Sequence, residues 1–335
     1  MVNGNIKNTR NSINYILGVD GGGSKTIARL VNLTTQEQWQ AGSGPASLTN
    51  NFNGSVKVLN TLIDEVIGKA NCQLLEVVGV FGLAGAGNAN AVTKLQQLFG
   101  QRFIFLDIYT DAYTSAYGAN NGEQVAIVAL GTGSVGLRLQ LNEQGELIQH
   151  IVGGWGFLID DEGGGAKLGY HSVQALVTEF QHFGNAKSKL TQAVASFINT
   201  SVNVNSDIGS GLSSDISFDI DLKDSQQITR QTIATWLATA KPVDFAKLSP
   251  LVTHYQFDCV VAKKLMVNHI TSVEALIYDT RANTKLPVAL LGGLASLTQT
   301  LLSNSTQGFL INPKGDSLDG ACLLANMVVK TLNCN

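Results

Sequence analysis

The chain has 335 residues, of which 44% are hydrophobic and 14% charged, so a large core and two domains are expected. Its net charge of −3 argues against nucleic acid or an anionic membrane surface as the main partner. The four cysteines form no Cys-x-x-Cys pair, which predicts reduced thiols rather than a zinc site or disulfide framework. The N-terminus has no apolar signal-peptide segment, and no apolar run is a convincing membrane span, so a cytoplasmic protein is expected.

Strand and helix patterns alternate along the first part of the chain. The predicted elements are a strand over 15–20, a strand over 26–33, a helix over 54–70, a strand over 77–85, a helix over 91–100, a strand over 103–111, a helix over 112–120, a strand over 123–130, a glycine turn at 131–136 and a strand over 137–141. Strand, glycine turn and strand thus occur twice. This repetition predicts a duplicated α/β architecture of two lobes with a ligand between them.

The predicted N-terminal lobe comprises 1–118 and is joined by a C-terminal helix over 319–335, while the second lobe comprises 119–318. The Ser-, Asn- and Asp-rich stretch 199–226 is typical of a surface loop or local insertion. The apolar run 286–302 predicts a buried strand that leads into a helix.

Two glycine-rich turns are candidates for phosphate binding. The stretch GVDGGGSKT, 18–26, differs from a P-loop because Ser24 intervenes before Lys25 and a strand follows. The stretch GTGSVG, 131–136, matches the dinucleotide fingerprint, but a strand follows where that fingerprint requires a helix. Each alone would be an ordinary hairpin turn, whereas the pair favours two nests of backbone N–H groups that grip a polyphosphate. The hydroxyls available as further donors are those of Ser24, Thr26, Thr132 and Ser134.

Two aspartates end predicted strands. An exposed Asp20 carboxylate beside a triphosphate would help to hold Mg²⁺, and the alternative is a turn-forming Asp. Lys25 would face either a phosphate or solvent. Asp111, at or near a helix N-cap, would orient and deprotonate a substrate hydroxyl, and the alternative is a plain cap. We expect the helix N-terminus to hold the pKa of Asp111 down.

The stretch GGWGFLIDDEGGGAKLG, 153–169, combines glycines with three consecutive acidic residues. Carboxylates there would accept hydrogen bonds from vicinal hydroxyl groups, and the glycines at 153 and 154 would allow close approach. Alternatively, the glycines at 163–165 cap a helix that begins near Ala166, where preceding acidic residues are favourable.

Taken together, GVDGGGSKT, GTGS, GGWG, DEGGGA and LLGGLA resemble, in order and from 15 to about 325, the motifs of the amino-sugar kinases grouped with the BadF/BadG/BcrA/BcrD ATPases. The resemblance implies the two-lobed α/β actin-like ATPase (ribonuclease H-like) fold, with the active site in the interlobe cleft. It also implies transfer of the γ-phosphoryl group of Mg-ATP to the 6-hydroxyl of glucosamine or N-acetylglucosamine. A homodimer is suggested by the same analogy.

By this resemblance Asp111 is the base and Asp20 the metal-binding residue. The implied ATP-binding residues are Gly21, Gly22, Gly23, Ser24, Lys25, Thr26, Gly131, Thr132, Gly133, Ser134, Gly292 and Gly293. The implied sugar-binding residues are Ser47, Asn50, Thr132, Gly154, Trp155, Asp161 and Glu162. Ser47 stands where relatives commonly have an asparagine. Trp155 resembles N-acetylglucosamine kinases, whereas SGPAS, 43–47, resembles bacterial glucosamine kinase, so both sugars remain candidates.

Two other functions are compatible with the same fold. An activator ATPase of the BadF type would hold an iron–sulfur cluster through cysteines, but none of the four cysteines lies in a suitable glycine-rich setting. A non-catalytic sugar sensor would be expected to have lost the base or the phosphate turns, and both are present here.

Overall fold

The computed structural model describes residues 12–204 and 228–334. Its strands are β1 (Tyr15–Gly21), β2 (Thr26–Asn32), β3 (Gln38–Ser43), β4 (Val77–Leu83), β5 (Phe105–Thr110), β6 (Val125–Leu130), β7 (Ser134–Leu141), β8 (Leu147–Gly153), β9 (Val288–Leu291) and β10 (Leu310–Ile311). Its α-helices are α1 (Phe52–Ala70), α2 (Ala89–Phe99), α3 (Asp111–Ala119), α4 (Gly165–Phe183), α5 (Lys189–Val204), α6 (Arg230–Thr239), α7 (Pro242–Ala246), α8 (Ser249–Tyr255), α9 (Val260–Arg281), α10 (Ala295–Leu301), α11 (Asn304–Gln307) and α12 (Ser317–Cys334). None of the helices in these two ranges combines the length and apolarity needed to cross a membrane.

The chain forms two compact units. The first comprises Met1–Ile127, Leu137–His150 and Ile311–Asn335, and the second comprises Val128–Gly136 and Ile151–Leu310. The C-terminal helix α12 therefore belongs to the first unit. The hairpin made by the end of β7 and the start of β8 also belongs to the first unit, although the predicted lobes assigned it to the second.

The first unit is built on a five-stranded sheet of order β3-β2-β1-β4-β5. β1 pairs antiparallel with β2 and parallel with β4, and β4 pairs parallel with β5. Both faces are covered, which explains the continuous apolar runs of β1 and β4. Leu17 and Val19 pack with the side chains of α1, whereas Ile16 packs with the side chains of α12. Strand β3 was not predicted, because its QWQAGS sequence is mostly polar and largely exposed at the sheet edge.

Helices α3 and α12 lie unusually close together in the first unit. A Cβ atom added to Gly118 of α3 would lie 2.0 Å from the carbonyl oxygen of Asp316, and one added to Gly320 of α12 would lie 1.9 Å from that of Thr114. Only glycine permits such separations. The two glycines therefore determine how closely α3 and the beginning of α12 approach one another.

The second sheet has the order β10-β9-β6-β7-β8. The second unit also contains a helical core, in which Leu176 of α4, Leu190 of α5, Trp236 of α6 and Leu251 of α8 are buried together. The prediction of a loop from residue 199 is wrong at its start, because α5 continues to Val204 with its apolar face buried. The remainder of that stretch, 205–226, lies outside the described residues.

Candidate active site

In the first unit, the ends of three elements bring polar side chains together. Asp20 is the penultimate residue of β1, Asp111 is the first residue of α3, and Ser317 is the first residue of α12. The carboxyl ends of the parallel strands β1, β4 and β5 lie at one edge of the sheet, where α/β proteins commonly bind ligands. The Ser317 hydroxyl, which lies 2.8 Å from Thr114 Oγ1, and the Asp111 carboxylate both influence the pKa of Asp20.

Asp20 is less exposed than the sequence suggested. Burial is the main cause that raises its pKa, the nearby Ser317 hydroxyl opposes the rise, and the carboxylates of Asp111 and Asp316 add to it. Among the described residues no cluster of three His, Cys, Asp or Glu side chains forms a metal site. Mg²⁺ commonly uses only one or two carboxylates together with water and substrate phosphates, and a hard cation would relieve the crowding of negative charge. The donor set around Asp20 therefore fits Mg²⁺.

Asp111 begins α3 but does not cap it. The cap is Thr110, whose hydroxyl accepts a hydrogen bond from the Tyr113 N–H at 3.1 Å. Asp111 Oδ1 accepts from the N–H of Ala112 at 2.9 Å. The expectation of a lowered pKa is wrong, because burial raises the pKa of Asp111 and outweighs the backbone hydrogen bonds that lower it.

The exposed surface of the first glycine turn consists mainly of backbone and of the Ser24 and Lys25 side chains. The Gly22 N–H donates to the Lys25 carbonyl at 3.0 Å, and Gly23, Ser24 and Lys25 are exposed. Thr26 does not extend this surface, because it is buried and its hydroxyl donates to the Gly44 carbonyl at 2.8 Å. The prediction that the Thr26 hydroxyl is available to a phosphate is therefore wrong.

Two residues predicted to bind sugar, Ser47 and Asn50, lie in the segment after β3 and differ in accessibility. Ser47 is 8% exposed and its carbonyl accepts a hydrogen bond from the Ser55 hydroxyl at 3.0 Å. Asn50 is exposed, whereas Asn51 caps α1 by accepting from the Gly54 N–H at 2.9 Å. Asn50 therefore has the more accessible side chain.

In the second unit, the N-terminus of α4 supports the second glycine turn. The N–H groups of Gly165 and Ala166 donate to the carbonyls of Gly131 and Thr132 at 2.8 and 2.9 Å. A Cβ atom added to Gly164 would lie 2.6 Å from the Thr132 carbonyl oxygen, so the predicted glycine cap is confirmed in position and required by close packing. Thr132 itself is exposed.

Asp161 links the acidic stretch to this turn. Its Oδ1 accepts a hydrogen bond from the Ser134 N–H at 3.2 Å, and the Ser134 hydroxyl in turn accepts from the Gly163 N–H at 3.1 Å. Ser134 is buried, so its hydroxyl serves this contact. A Cβ atom at Gly133 would lie 2.5 Å from Asp161 Oδ2. Burial raises the pKa of Asp161, while the hydrogen bond from Ser134 opposes the rise.

The two acidic neighbours of Asp161 make other contacts. Asp160 accepts from the backbone N–H of Trp155 at 3.3 Å, and the Trp155 side chain is 80% exposed. Glu162 is 2.7 Å from Lys167 Nζ and 3.2 Å from His171 Nε2. Despite some burial, these hydrogen bonds and charges lower the pKa of Glu162.

The predicted adenosine motif lies next to the second phosphate turn. Gly292 has φ +95°, and a Cβ atom there would lie 2.5 Å from the Leu130 carbonyl oxygen, directly before Gly131. The Leu294 N–H donates to the same carbonyl at 3.1 Å. Gly293 is exposed with open space at its Cβ position, so both glycines lie beside the end of β6.

Sequence reasoning missed three polar residues at these sites: Ser317, Thr114 and Lys167. Ser317 lies almost three hundred residues after Asp20, and nothing in the sequence pattern joins them. Lys167 had a weak signal, since it occupies the first turn of a predicted helix shortly after the acidic stretch.

Comparison with known proteins identifies the family of this chain. The family model for the BadF/BadG/BcrA/BcrD ATPases matches residues 17–236. The chain belongs to this ATPase family. Glucosamine kinase of Vibrio cholerae is 26% identical over 321 residues, which cover 93% of this chain and 96% of that protein. The N-acetylmuramic acid/N-acetylglucosamine kinase of Clostridium acetobutylicum is 29% identical over 175 residues, which cover 51% of this chain and 56% of that protein.

A solved structure matches almost the whole chain. The crystal structure of an N-acetylglucosamine kinase candidate from Chromobacterium violaceum has a TM-score of 0.76 and 28% identity, and covers 93% of this chain and 99% of that one. The predicted family resemblance and α/β actin-like fold class are thereby confirmed.

Proposed function

We propose that this protein is an ATP-dependent kinase that transfers the γ-phosphoryl group of Mg-ATP to the 6-hydroxyl of glucosamine or N-acetylglucosamine. The observation that carries this proposal is the pair of partly buried carboxylates, Asp20 and Asp111, at the carboxyl edge of one sheet. Similarity to relatives named glucosamine kinase and N-acetylmuramic acid/N-acetylglucosamine kinase supports an amino sugar as the acceptor.

Asp111 acts as the general base. Its Oδ1 is held by the Ala112 N–H at 2.9 Å, which leaves the other oxygen to accept the proton of the sugar hydroxyl. Burial raises its pKa and so makes the carboxylate a stronger base than an exposed one. The γ-phosphoryl group bonds to the sugar oxygen as its bond to the ADP oxygen breaks, and the hydroxyl proton goes to Asp111.

Asp20 would hold Mg²⁺, directly or through water, and the chemistry that the ion would supply there is neutralisation of charge on the phosphate groups. A cation held there would offset the negative charge of the Asp111 and Asp316 carboxylates, which contribute to the raised pKa of Asp20.

The backbone of the two glycine turns binds the phosphate groups, assisted by Ser24, Lys25 and Thr132. Thr26 and Ser134 contribute through backbone and packing, since their hydroxyl groups are engaged elsewhere. Gly292 and Gly293 give the nucleoside access to the backbone beside β6. For the sugar hydroxyls, the principal ligand proposed is Asp161, and the further proposed contacts are Gly154 and Trp155 in the second unit and Asn50 and the backbone of Ser47 in the first.

A coupled assay of ADP release tests the proposal, with glucosamine, N-acetylglucosamine, glucose and N-acetylmannosamine as acceptors. We expect one or both of the first two sugars to stimulate ADP release well above the rate without sugar. If none of the four sugars stimulates turnover, the kinase proposal is wrong. If a sugar stimulates turnover and Asp111→Asn leaves it intact, the base assignment alone is wrong.

A further inference from the structure

We infer that Phe157 is a positioning residue that anchors the segment between β8 and α4, and with it Trp155 and Asp161, to the helical core of the second unit. The inference rests on the proposed role of Trp155 and Asp161 in sugar binding. Phe157 contacts neither the sugar nor the reacting atoms in this scheme. It acts by holding in place the backbone on either side of it.

Phe157 differs from its apolar neighbours in where its side chain lies. Trp155, Leu158 and Ile159 are 80%, 89% and 81% exposed. Among the large apolar side chains of the described segment 155–159, Phe157 alone packs against the buried helical core. Because apolar stabilisation comes from surface that is removed from water, Phe157 supplies the apolar attachment of this segment.

The ring of Phe157 contacts two aromatic side chains of the core. It stacks on Phe245 of α7, with ring centroids 5.3 Å apart and planes at 27°, and it meets Tyr170 of α4 edge to face, with centroids 5.8 Å apart. Lys167 Nζ also lies over the Phe157 ring, 5.8 Å from its centroid, at the distance of a cation–π contact. Aromatic pairs have preferred geometries, so these contacts fix the orientation of Phe157 as well as its position.

The aromatic side chains that receive Phe157 are themselves fixed. Phe245 is buried and lies edge to face with buried Trp236, at a centroid separation of 5.1 Å. Gly169 of α4 leaves no room for a Cβ atom beside the Phe245 carbonyl oxygen, so α7 packs directly on α4. Close-packed interiors yield little, and these helices therefore offer Phe157 a rigid support.

Hydrogen bonds make the residues around Phe157 into one closed turn. The Gly156 carbonyl accepts from the Asp160 N–H at 2.9 Å, and Asp160 Oδ2 accepts from the Trp155 N–H at 3.3 Å. Gly156 has φ +93°, a conformation that favours glycine. Asp161 follows this turn directly, so a displacement of Phe157 would move Trp155 on one side and Asp161 on the other.

The first test observes the segment without turnover. Hydrogen–deuterium exchange of the full-length protein, without ATP or sugar, is compared between wild type and Phe157→Ala. We expect faster exchange in peptides that cover 154–164, because the N–H groups of Asp160 and Gly164 donate to carbonyls of this segment and would be released more often without the anchor. Unchanged exchange there would overturn the inference.

The second test separates sugar binding from catalysis. Phe157→Ala should raise the sugar KM about tenfold, the rise expected if the segment is in its binding conformation about a tenth of the time. The kcat at saturating sugar should change little, because Asp111 belongs to the first unit and is left intact. Phe157→Leu keeps apolar bulk without the ring and should raise the sugar KM by a smaller factor. An unchanged sugar KM in Phe157→Ala would overturn the inference.

Phe197→Ala is the matched control, because Phe197 is also partly buried against the same core but lies on α5. It should lower the free energy of unfolding in urea and leave the sugar KM unchanged. An equal rise in its sugar KM would overturn the inference, since a general loss of stability would then explain the effect. If Phe157→Ala does not fold, as judged by circular dichroism, Phe157→Leu decides both tests.

The two tests also distinguish this inference from the proposed function. If the wild type phosphorylates an amino sugar while the Phe157 variants keep wild-type exchange and sugar KM, the inference fails and the proposed function stands. If no sugar is phosphorylated while exchange over 154–164 rises in Phe157→Ala and not in Phe197→Ala, the anchor is supported and the proposed function fails.

Discussion

The Asp161 carboxylate accepts a hydrogen bond from the backbone N–H of Ser134 at 3.2 Å. One side chain of the acidic stretch is thereby joined to the turn proposed to bind phosphate. Asp161 adopts φ +71°, a conformation that is unfavourable for a residue with a side chain and that persists only where its surroundings hold it. The Gly164 N–H donates to the Asp161 carbonyl at 2.7 Å and is one such restraint.

Two substitutions at Asp161 distinguish its proposed contact with the sugar from its hydrogen bond with the Ser134 N–H. Asp161→Asn keeps an oxygen for the Ser134 N–H but removes the charge, so we expect a rise in the sugar KM of roughly tenfold with little change in the ATP KM. Asp161→Ala also releases the turn, so the ATP KM should rise as well. Steady-state kinetics with each substrate varied in turn measures both effects. Equal effects of the two variants on the ATP KM would contradict a role for the Ser134 contact.

Replacing Asp111 should impair catalysis and stabilise the fold. Loss of a general base costs about 10²–10⁴-fold in rate, so Asp111→Asn should lower kcat within that range. The native pKa of Asp111 is raised above its unfolded value by burial, so its protonated form favours folding, and that contribution disappears as the pH rises through the native pKa. At neutral pH the buried charge is therefore unfavourable, and the neutral amide should raise the Tm.

The raised pKa of Asp111 also predicts that the Tm difference between Asp111→Asn and wild type depends on pH. The Tm difference between Asp111→Asn and wild type should be largest near neutral pH and should shrink under acidic conditions, where the native carboxyl group becomes protonated. Thermal unfolding followed by circular dichroism across this range measures it. Asp64→Asn serves as the control, since it makes the same chemical change at a side chain that is 72% exposed. A Tm difference for Asp111→Asn that grows under acidic conditions would contradict the assigned cause.

The sequence predicted most strands and helices because their apolar periodicity was clear, and it located both glycine turns. It could not predict which hydroxyl groups remain available, because Thr26 and Ser134 are engaged by Gly44 and Gly163, contacts that depend on the tertiary fold. It gave the wrong direction for the pKa of Asp111 for a related reason. The helix N-terminus is visible in sequence, whereas burial, which outweighs it, is not.

Glu162 should affect the loop that carries Asp161 more than it affects the sugar directly. Its two oxygens contact Lys167 and His171, so it ties this loop to α4. Lys167→Met removes one of these contacts while keeping the length of the side chain. We expect a severalfold rise in the sugar KM and a loss of stability of about 0.5–1 kcal/mol, since the pair is partly exposed. Steady-state kinetics and urea unfolding measure these effects.

The control for that variant is Lys189→Met, which breaks the exposed pair with Asp258 at 2.6 Å. It should leave the sugar KM unchanged. An unchanged sugar KM in Lys167→Met would show that the contact between Glu162 and Lys167 does not influence sugar binding. Glu162 would then remain a candidate for direct contact with the sugar.

The close approach of α3 and α12 makes a sharp prediction about two helical glycines. Gly118→Ala would place a Cβ atom 2.0 Å from the Asp316 carbonyl oxygen, so the helices must separate. Overpacking of this kind costs about 1–3 kcal/mol of the free energy of unfolding. Gly68→Ala in α1 meets no atom within 4 Å, so the higher helix propensity of alanine should stabilise the fold by up to about 1 kcal/mol. Urea unfolding of the two variants should therefore give changes of opposite sign in the free energy of unfolding. A stabilising effect of Gly118→Ala would contradict the close packing of α3 against α12.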